Sequence, residues 1–292
     1  MKSLICINTY KSADLIKTFV WDYIDFTRNN PQYDFIVSLD GQDQETTEYC
    51  TKYKIPLLYS EENEGVGISK NRVIKSFDNY ESYFFIEDDV ELLNPEVFDI
   101  HIKLSKELNI HHFSLFEARR IRNQVDTYKY KDFHIKQAMH GSAQFNFFTK
   151  KGLETVGGFH TKFAEYKRFG HTEHTYRFVH NNLSEYPFQV IKDCLDGYFR
   201  WNDPISRVKL SVDVSDNGLF VGEEELITQK IKYFPIQTLS SYKIINKAYI
   251  TKPEKILNDN SVKWHKEKFY LKLSLIELYR KVKSLTQILS RK

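Results

Sequence analysis

The stretch YFFIEDDVEL, residues 83–92, places four apolar residues directly before three adjacent carboxylates. The apolar run is typical of a buried strand, and Glu87, Asp88 and Asp89 mark its end. Three neighbouring carboxylates repel one another unless a cation or solvent screens them. One interpretation is therefore a solvated strand end. The other is a site for Mg²⁺ or Mn²⁺, which bind carboxylate and phosphate oxygens.

The sequence before this stretch alternates short apolar runs with amphipathic segments, which predicts a mostly parallel sheet with helices on both faces. The expected strands are residues 4–8, 34–39, 55–59 and 83–86, and the helices between them begin near residues 12, 45 and 68. Ligands of such sheets bind where the strands end. Polar loops follow three of the strands, at Asn8-Thr9-Tyr10, at Asp40-Gly41 and at residues 87–89. We therefore expect a binding site where these loops meet.

The sequence after residue 93 is less regular. Helices are expected over residues 94–107 and 172–179, and strands over residues 112–116 and 144–148. Residues 119–136 are charged and rich in Tyr without a clear period, and residues 203–260 indicate no topology. Towards the C-terminus, apolar residues recur every three or four positions and predict one face of a helix, at Leu275, Leu278, Val282, Leu285 and Leu289.

Composition and charge exclude several classes of protein. The 292 residues are 41% hydrophobic and 28% charged, which is ordinary for a globular chain and excludes a disordered or collagen-like one. The net charge of +3 is uneven, because residues 263–292 hold nine Lys or Arg against two Glu. The rest of the chain is mildly acidic, which argues against a nucleic-acid-binding surface. Three widely spaced cysteines, Cys6, Cys50 and Cys194, indicate reduced thiols in a cytoplasmic protein.

A second polar stretch, NEGVGISKNR at residues 63–72, precedes the third expected helix. Its two glycines reduce steric bulk, the helix N-terminus offers backbone N–H groups, and Lys70 or Arg72 could meet a phosphate. The stretch matches neither of the common glycine-rich phosphate motifs. A simple glycine-rich turn explains it at least as well.

The order of these motifs resembles that of the inverting family-2 glycosyltransferases with the GT-A fold. Residues 84–92 resemble the family's DXD segment, with Glu87 and Asp89 at its two acidic positions. Residues 63–71 resemble its N-x-G…R-N segment, with Lys70 in place of Arg, and residues 157–159 match its acceptor-side GGF. The resemblance covers residues 1–180.

The resemblance implies a Rossmann-type, GT-A-like fold and a division of the chain. Residues 1–205 would form the catalytic domain, with a nucleotide-binding half at residues 1–92 and an acceptor-binding half at residues 93–205. Residues 206–292 would form a C-terminal extension that ends in a basic amphipathic helix.

Roles for individual residues also follow from the resemblance. The nucleotide-sugar donor would be bound by residues after the strands and in the two motifs, namely Asn8, Thr9, Tyr10, Asp40, Asn63, Lys70, Glu87 and Asp88. Asp40 would accept a hydrogen bond from the base, and Lys70 would lie near the nucleotide or its phosphates. Asp89 would bind Mn²⁺ or Mg²⁺ together with Glu87. Apart from the resemblance, His171 or His140 is a candidate to complete the shell, and the alternative for each histidine is a structural hydrogen bond. The histidine spacing gives little support to zinc, because there is no HExxH or Cys cluster.

The expected catalytic base is where the sequence departs from the family's pattern. The family has a Glu-Asp pair at the start of the acceptor-side helix, and its Asp is the base. Here residues 170–175 are GHTEHT, so His174 takes the register of the Asp and Glu173 is the only carboxylate. Both are candidates. We favour Glu173, because a one-residue slip at a loop–helix junction is easily accommodated.

Together these inferences predict a metal-dependent inverting glycosyltransferase of the hexosyltransferase class, acting in polysaccharide biosynthesis. It would move a sugar from a nucleotide donor, favoured as a UDP-sugar, to a hydroxyl of a glycan or lipid-linked acceptor. Two alternatives stay open: a catalytically silent sugar- or nucleotide-binding domain of the same fold, and a nucleotidyltransferase. The basic C-terminal helix could contact the inner face of a membrane, or it could pack on its own domain or on a second subunit. No nucleic-acid partner is expected.

Overall fold

The computed structural model describes residues 2–115, 122–163, 170–202 and 230–289. Its first half follows the expected alternation of strands and helices. In chain order these are β1 (Ser3–Thr9), α1 (Ala13–Asn29), β2 (Tyr33–Asp40), α2 (Gln44–Lys52), β3 (Leu57–Ser60), α3 (Val66–Ser76) and β4 (Ser82–Glu87). Every residue of β1 and β2 is buried, because helices cover both faces of these central strands.

In the described part of the chain, the second half adds short strands and four further α-helices. Its elements are β5 (Val90–Leu92), α4 (Glu96–Leu108), β6 (His112–Leu115), β7 (Arg122–Tyr130), β8 (Phe133–His140), β9 (Phe145–Thr149), α5 (Lys150–Val156), α6 (Gly170–His180), β10 (Phe188–Ile191), β11 (Phe199–Trp201), β12 (Tyr242–Ile245) and α7 (Asp259–Leu289). Residues 116–121 and 203–229, for most of which the sequence predicted no element, lie outside the described residues.

The main sheet has seven strands in the order β12-β3-β2-β1-β4-β9-β6. The four central strands, β3, β2, β1 and β4, are parallel, whereas β12, β9 and β6 join through antiparallel pairs. Helices α1, α2 and α4 pack on one face, and α3, α5 and α6 pack on the other. The structure thus confirms an α/β fold with a mostly parallel sheet, helices on both faces and a C-terminal helix.

Several strands were not expected from the sequence, namely β5, β7, β8, β10, β11 and β12. β7 and β8 form a hairpin that joins β10 in a three-stranded sheet, where the sequence showed no period. β12 lies in the proposed C-terminal extension and pairs with β3 at the edge of the main sheet. Part of that extension therefore completes the sheet. The division of the chain at residue 205 stays a prediction.

Candidate functional site

The four parallel strands β1, β2, β3 and β4 end at one edge of the sheet, the carboxyl edge, and the loops that follow β1, β2 and β3 meet there. Tyr10 follows β1, Gly41 follows β2 and Asn63 follows β3. Gly41 has a φ of +93°, and a Cβ built there would lie 3.1 Å from the Tyr10 ring and 3.1 Å from the Asn63 Cβ. Two residues predicted to bind a nucleotide, Tyr10 and Asn63, therefore flank one glycine.

Asp40, the last residue of β2, holds the loop that leads into α3. Its carboxylate accepts hydrogen bonds from the backbone N–H of Gly65 at 2.6 Å and of Glu64 at 3.1 Å. Arg72 Nη1 donates a third bond at 3.0 Å. Burial raises the pKa of the Asp40 carboxyl, although these donors oppose the shift. The structure shows Asp40 shaping the loop, and its bond to a nucleobase stays a prediction.

The three carboxylates after β4 differ in their environments. Asp88 is buried and accepts a hydrogen bond from Thr9 Oγ1 at 2.6 Å, which ties the end of β4 to the end of β1. Asp89 is also buried, and its backbone carbonyl accepts a bond from the Asn202 N–H at 2.8 Å. Glu87 is half-buried. It is the most accessible of the three.

The fit of a metal ion rests on this carboxylate set. Within the described ranges, no group of three or more His, Cys, Asp or Glu side chains is arranged to hold a metal. Mg²⁺ and Mn²⁺ commonly take only one or two protein carboxylates and complete their shells with phosphate oxygens and water. Glu87 and Asp89 are two carboxylates at the end of β4, and their binding of a metal stays a prediction. His140 lies at the exposed end of β8, and the His171 ring contacts the ring of Phe188 with centroids 5.4 Å apart.

A band of polar side chains lies beneath the carboxyl edge, on the sheet face that α3, α5 and α6 cover. Successive strand residues point to opposite faces, so Asn8 shares this face with Cys6, and Asn146 shares it with Phe148. Asn8 pairs in register with Glu87, and Asn146 pairs with Ser114. The band also includes side chains from α3 and α6, namely Lys70, His171 and His174.

Lys70 is the charged centre of this band. It is 1% exposed, and its Nζ lies 5.2 Å from the centre of the Phe159 ring and 5.7 Å from that of Phe85. Burial lowers the pKa of Lys70 to about 8, and the nearby Glu87 carboxylate opposes the shift. Among the residues that the structure describes, the Nζ has no hydrogen-bond partner. An anion entering this edge of the sheet would supply one.

The segment at residues 157–159 is held by side chains from two helices. Asn71 of α3 donates to the Phe159 carbonyl at 2.8 Å and accepts from the Phe159 N–H at 2.7 Å. Arg177 of α6 donates from Nη1 to the carbonyls of Val156 at 3.0 Å and Gly158 at 2.6 Å. The two motifs at residues 63–71 and 157–159 therefore form one structural unit.

Both candidates for the catalytic base are buried in α6. Glu173 is 3% exposed and accepts hydrogen bonds from Nε of Arg177 at 2.6 Å and from its Nη2. The His174 ring stacks on Phe159 with centroids 4.2 Å apart, and its Nε2 lies 3.0 Å from the Gly157 carbonyl oxygen. Since a carbonyl only accepts, Nε2 carries the proton and Nδ1 is the basic nitrogen. Burial lowers the pKa of His174 well below its usual value, so the ring is neutral at pH 7.

Arg177 was not among the residues singled out for the site, and Arg72 was considered only as a residue that could meet a phosphate. In the structure Arg72 fixes Asp40 and Arg177 fixes Glu173. The spacing of Glu173 and Arg177, four residues apart in an expected helix, is a signal that could have revealed their pairing. The pairing of Arg72 with Asp40 had no such signal, because 32 residues separate the two.

No family model matches this sequence, and no curated protein matches it. Solved structures that resemble the chain include TarS residues 1–349 of S. aureus, at 17% identity over 70% of this chain and 61% of that one, with a TM-score of 0.49. The same protein in complex with UDP matches at 16% identity over 68% and 60%, with a TM-score of 0.48. The mannosyltransferase PcManGT from Pyrobaculum calidifontis, in complex with GDP-Man and Mn²⁺, matches at 13% identity over 65% and 54%, with a TM-score of 0.48. The chain thus spans between 54% and 61% of the length of these structures.

Proposed function

We propose that this protein is a metal-dependent inverting glycosyltransferase that moves a sugar from a nucleotide donor to a hydroxyl group. The observation that carries the proposal is the convergence of Tyr10, Gly41 and Asn63 at the carboxyl edge of the sheet. The same edge holds the carboxylates that follow β4, which the bond between Thr9 and Asp88 ties to β1. Nucleotides bind at such edges in doubly wound sheets.

The proposed donor is a UDP-sugar lying across the ends of β1, β2 and β4. UDP and GDP-mannose, the ligands in two of the similar structures, belong to the same class of molecule. The base would lie near Tyr10 and Asp40, and the diphosphate near Lys70. Glu87 and Asp89 would hold Mn²⁺ or Mg²⁺, which would offset the negative charge that grows on the departing nucleoside diphosphate. Asn8, next to Glu87 in the sheet, would face the ribose or the sugar.

The acceptor, a glycan or a lipid-linked polysaccharide, would approach from the side of α6. Its hydroxyl would attack the sugar C1 in line with the leaving group while a base takes its proton. We keep Glu173 as the proposed base, since each oxygen of a carboxylate has a lone pair beyond the one that Arg177 uses. His174 would accept the proton only at Nδ1, which is buried.

A catalytically silent binding domain is the second candidate, because one observation favours it. Glu173 and His174 are both at most 3% exposed, and both make hydrogen bonds within the protein. A domain that only binds a nucleotide or a sugar needs no accessible base. Such a domain would bind its ligand at the carboxyl edge without catalysing sugar transfer.

A donor screen with Mn²⁺ tests the proposal and separates the candidates. The purified chain is incubated with a panel of nucleotide-sugars, and free nucleoside diphosphate and pyrophosphate are both measured. We expect nucleoside diphosphate release that is lost with EDTA and in Asp89→Ala, but kept in Asp132→Ala, a change to an exposed Asp in the turn between β7 and β8. Binding without release would indicate a silent domain, and pyrophosphate release would indicate a nucleotidyltransferase. Unchanged turnover in EDTA would contradict the proposed metal dependence.

A further inference from the structure

The C-terminal helix α7 carries apolar residues on two opposite sides. One side packs on the body of the protein: Phe269 is 9% exposed, and its ring lies 5.3 Å from that of Phe19 in α1. Leu273 packs against the same cluster. The other side faces solvent and holds four large residues that are 54–63% exposed, namely Trp264, Leu271, Leu275 and Leu278. An apolar face of this length on a helix that already packs on its own domain indicates a partner.

Apolar positions in the sequence of α7 repeat with the spacing of a coiled coil. Steps of alternately four and three residues connect the apolar positions Leu271, Leu275, Leu278, Val282, Leu285 and Leu289. These are successive d and a positions of a heptad, with Trp264 one heptad earlier at d and Lys268 at a. We call this set the a/d face. A stripe confined to a and d is narrower than the apolar face of a helix that lies on a lipid surface.

The residue types at these positions favour two parallel strands. Leu at the d positions with a β-branched residue such as Val282 at a position a is typical of dimers, and a single Lys at a position a sets the register. In a parallel pair, each g position faces the e position of the next heptad in the other helix. Glu267 at g would therefore face Lys272 of the partner subunit at e. Lys272 already donates to Asp14 of its own chain at 2.9 Å, so the pairing would bring a second carboxylate near it.

The remaining flanking positions bring no like charges together. Ser274 would face Tyr279 of the partner subunit, and Lys281 would face Thr286 of the partner subunit. Lys268 would face its own copy at a position a, which sets the register at a cost in stability, and the other basic residues of α7 lie at outer positions or form ion pairs with the body. The high positive charge of the C-terminus is thus compatible with pairing of two identical helices.

The first part of α7 is fixed to the body, so the a/d face has a defined direction. Lys266 donates to Asp22 at 2.8 Å and to Glu91 at 3.0 Å. Glu91, which is buried in β5, also accepts bonds from Arg200 and Tyr270. These contacts lie on the side of α7 opposite the a/d face. When two copies of α7 pair through the a/d face, the rest of each chain would therefore lie on the outer side of its own helix.

We propose that two copies of this chain associate through a parallel two-stranded coiled coil formed by the a/d face of α7. The pairing would bury the apolar side chains that the single chain exposes. Each Å² of apolar surface removed from water stabilises the pair by about 25 cal/mol. The inference concerns α7 alone and does not depend on the proposed transferase activity.

Sedimentation equilibrium of the full chain at micromolar concentration tests the pairing. We expect a dimer for the unaltered chain and a monomer for Leu271→Glu/Leu278→Glu, because the substitutions would place carboxylates at two d positions of both helices. Arg280→Glu, at the outer f position, changes the net charge by the same amount and should remain dimeric. Far-UV circular dichroism of all three proteins shows whether the fold is kept. A monomeric unaltered chain, or a folded double variant that stays dimeric, would overturn the proposal.

Disulfide trapping tests the orientation. The three native cysteines are buried and unpaired, so an introduced cysteine on α7 is the accessible thiol. Leu271→Cys and Leu285→Cys lie 14 residues, or about 21 Å, apart along the helix. Both variants should form intermolecular disulfides in a parallel pair, whereas an antiparallel pair brings at most one of the two positions together. Trapping of only one variant would therefore contradict the parallel arrangement. Flotation of a monomeric chain with anionic vesicles, lost in Leu271→Glu/Leu278→Glu, would assign the a/d face to lipid instead.

Discussion

Lys70 is a buried ammonium whose charge depends on what enters the site. Its pKa is lowered to about 8 because burial disfavours the charged form more than Glu87 favours it. The side chain is therefore still charged at neutral pH. A diphosphate at the carboxyl edge would add negative charge nearby and raise the pKa of Lys70 again, so binding and protonation would be coupled.

We predict that the affinity for UDP falls as the pH rises above about 8, since Lys70 then loses its proton. A charge-assisted hydrogen bond contributes about 1.5–3 kcal/mol, so the loss should reach roughly tenfold or more. Lys70→Arg keeps its charge and should show little change over the same range, and Lys70→Met should bind weakly at every pH. Calorimetry with Mg²⁺ between pH 7 and pH 9.5 measures all three. Identical pH profiles for the unaltered chain and Lys70→Arg would place the nucleotide away from Lys70.

The sequence predicted which residues share the carboxyl edge but not how deeply they lie. Tyr10 and Asn63 could be placed there because strand order alone brings strand ends together. The burial of Asp40 was not predicted, because it depends on Arg72 reaching back from α3. The burial of Glu173 in its hydrogen bond with Arg177 likewise depends on how α6 packs. Burial and pairing come from tertiary packing, which a local pattern does not contain.

At the scale of elements, the segment at residues 157–159 joins the sheet, α6 and the chain at residue 234. Gly157 has a φ of +79°, and a Cβ at this position would lie 1.8 Å from the carbonyl oxygen of Phe234. Gly197 has a similar φ of +83°, but nothing lies within 4 Å of a Cβ built there. The two glycines thus share a backbone requirement and differ in the space around them.

We predict that Gly157→Ala destabilises the fold far more than Gly197→Ala. The positive φ makes Gly197→Ala cost roughly 1–2 kcal/mol. Gly157 combines φ +79° with ψ −159°, a region that only Gly adopts readily, so Gly157→Ala costs about 1–3 kcal/mol for the backbone and about 1–3 kcal/mol more because the chain at residue 234 must move. Urea unfolding followed by circular dichroism gives the two free energies of unfolding. Equal losses would show that the contact with residue 234 is unimportant.

Helix α6 also carries the prediction about the base. At saturating donor and acceptor, Glu173→Gln should lower kcat by about 100-fold or more, whereas His174→Ala should retain more activity. Because Glu173 pairs with a buried arginine, Glu173→Gln should also lower the free energy of unfolding by about 3–5 kcal/mol. Turnover is therefore expressed per folded molecule, from circular dichroism at the assay temperature. Near-normal turnover in Glu173→Gln beside a large loss in His174→Ala would make His174 the base.

Elements with strong local patterns were predictable, and those that depend on distant partners were not. β1, α1 and β2 follow from apolar runs and periodicity near one another in the chain. β12 is half-exposed and pairs with β3 from the other end of the sequence. The hairpin of β7 and β8 likewise pairs with a strand that is distant in the sequence, β10, through β8. These strands gain their burial from distant neighbours, so their sequences show no alternation of their own.

At the scale of the whole molecule, the sheet separates two cores. The face under α1, α2 and α4 is mostly apolar, with the buried His101 ring among its aromatic side chains, whereas the face under α3, α5 and α6 includes the polar band with Lys70. Buried polar groups cost free energy unless they are paired, so a ligand that supplies partners should stabilise the folded chain. The molecule is thus arranged to gain stability on binding.

We predict that UDP with Mg²⁺ raises the thermal midpoint of the unaltered chain. A ligand that binds only the folded state adds about 2.7 kcal/mol at a concentration 100 times its Kd. The shift should be much smaller in Asp89→Ala and unchanged in Asp132→Ala, and differential scanning fluorimetry measures it. Equal shifts in the two variants would remove Asp89 from the site.

The central claim is that a nucleotide and its metal bind where β1, β2 and β4 end. A crystal structure of the chain with UDP and Mn²⁺ tests it most directly, with the anomalous signal of manganese locating the ion. We expect the uracil beside Tyr10 and Asp40, and the manganese between the diphosphate and Asp89 or Glu87. A nucleotide bound elsewhere on the chain, or manganese away from both carboxylates, would contradict it.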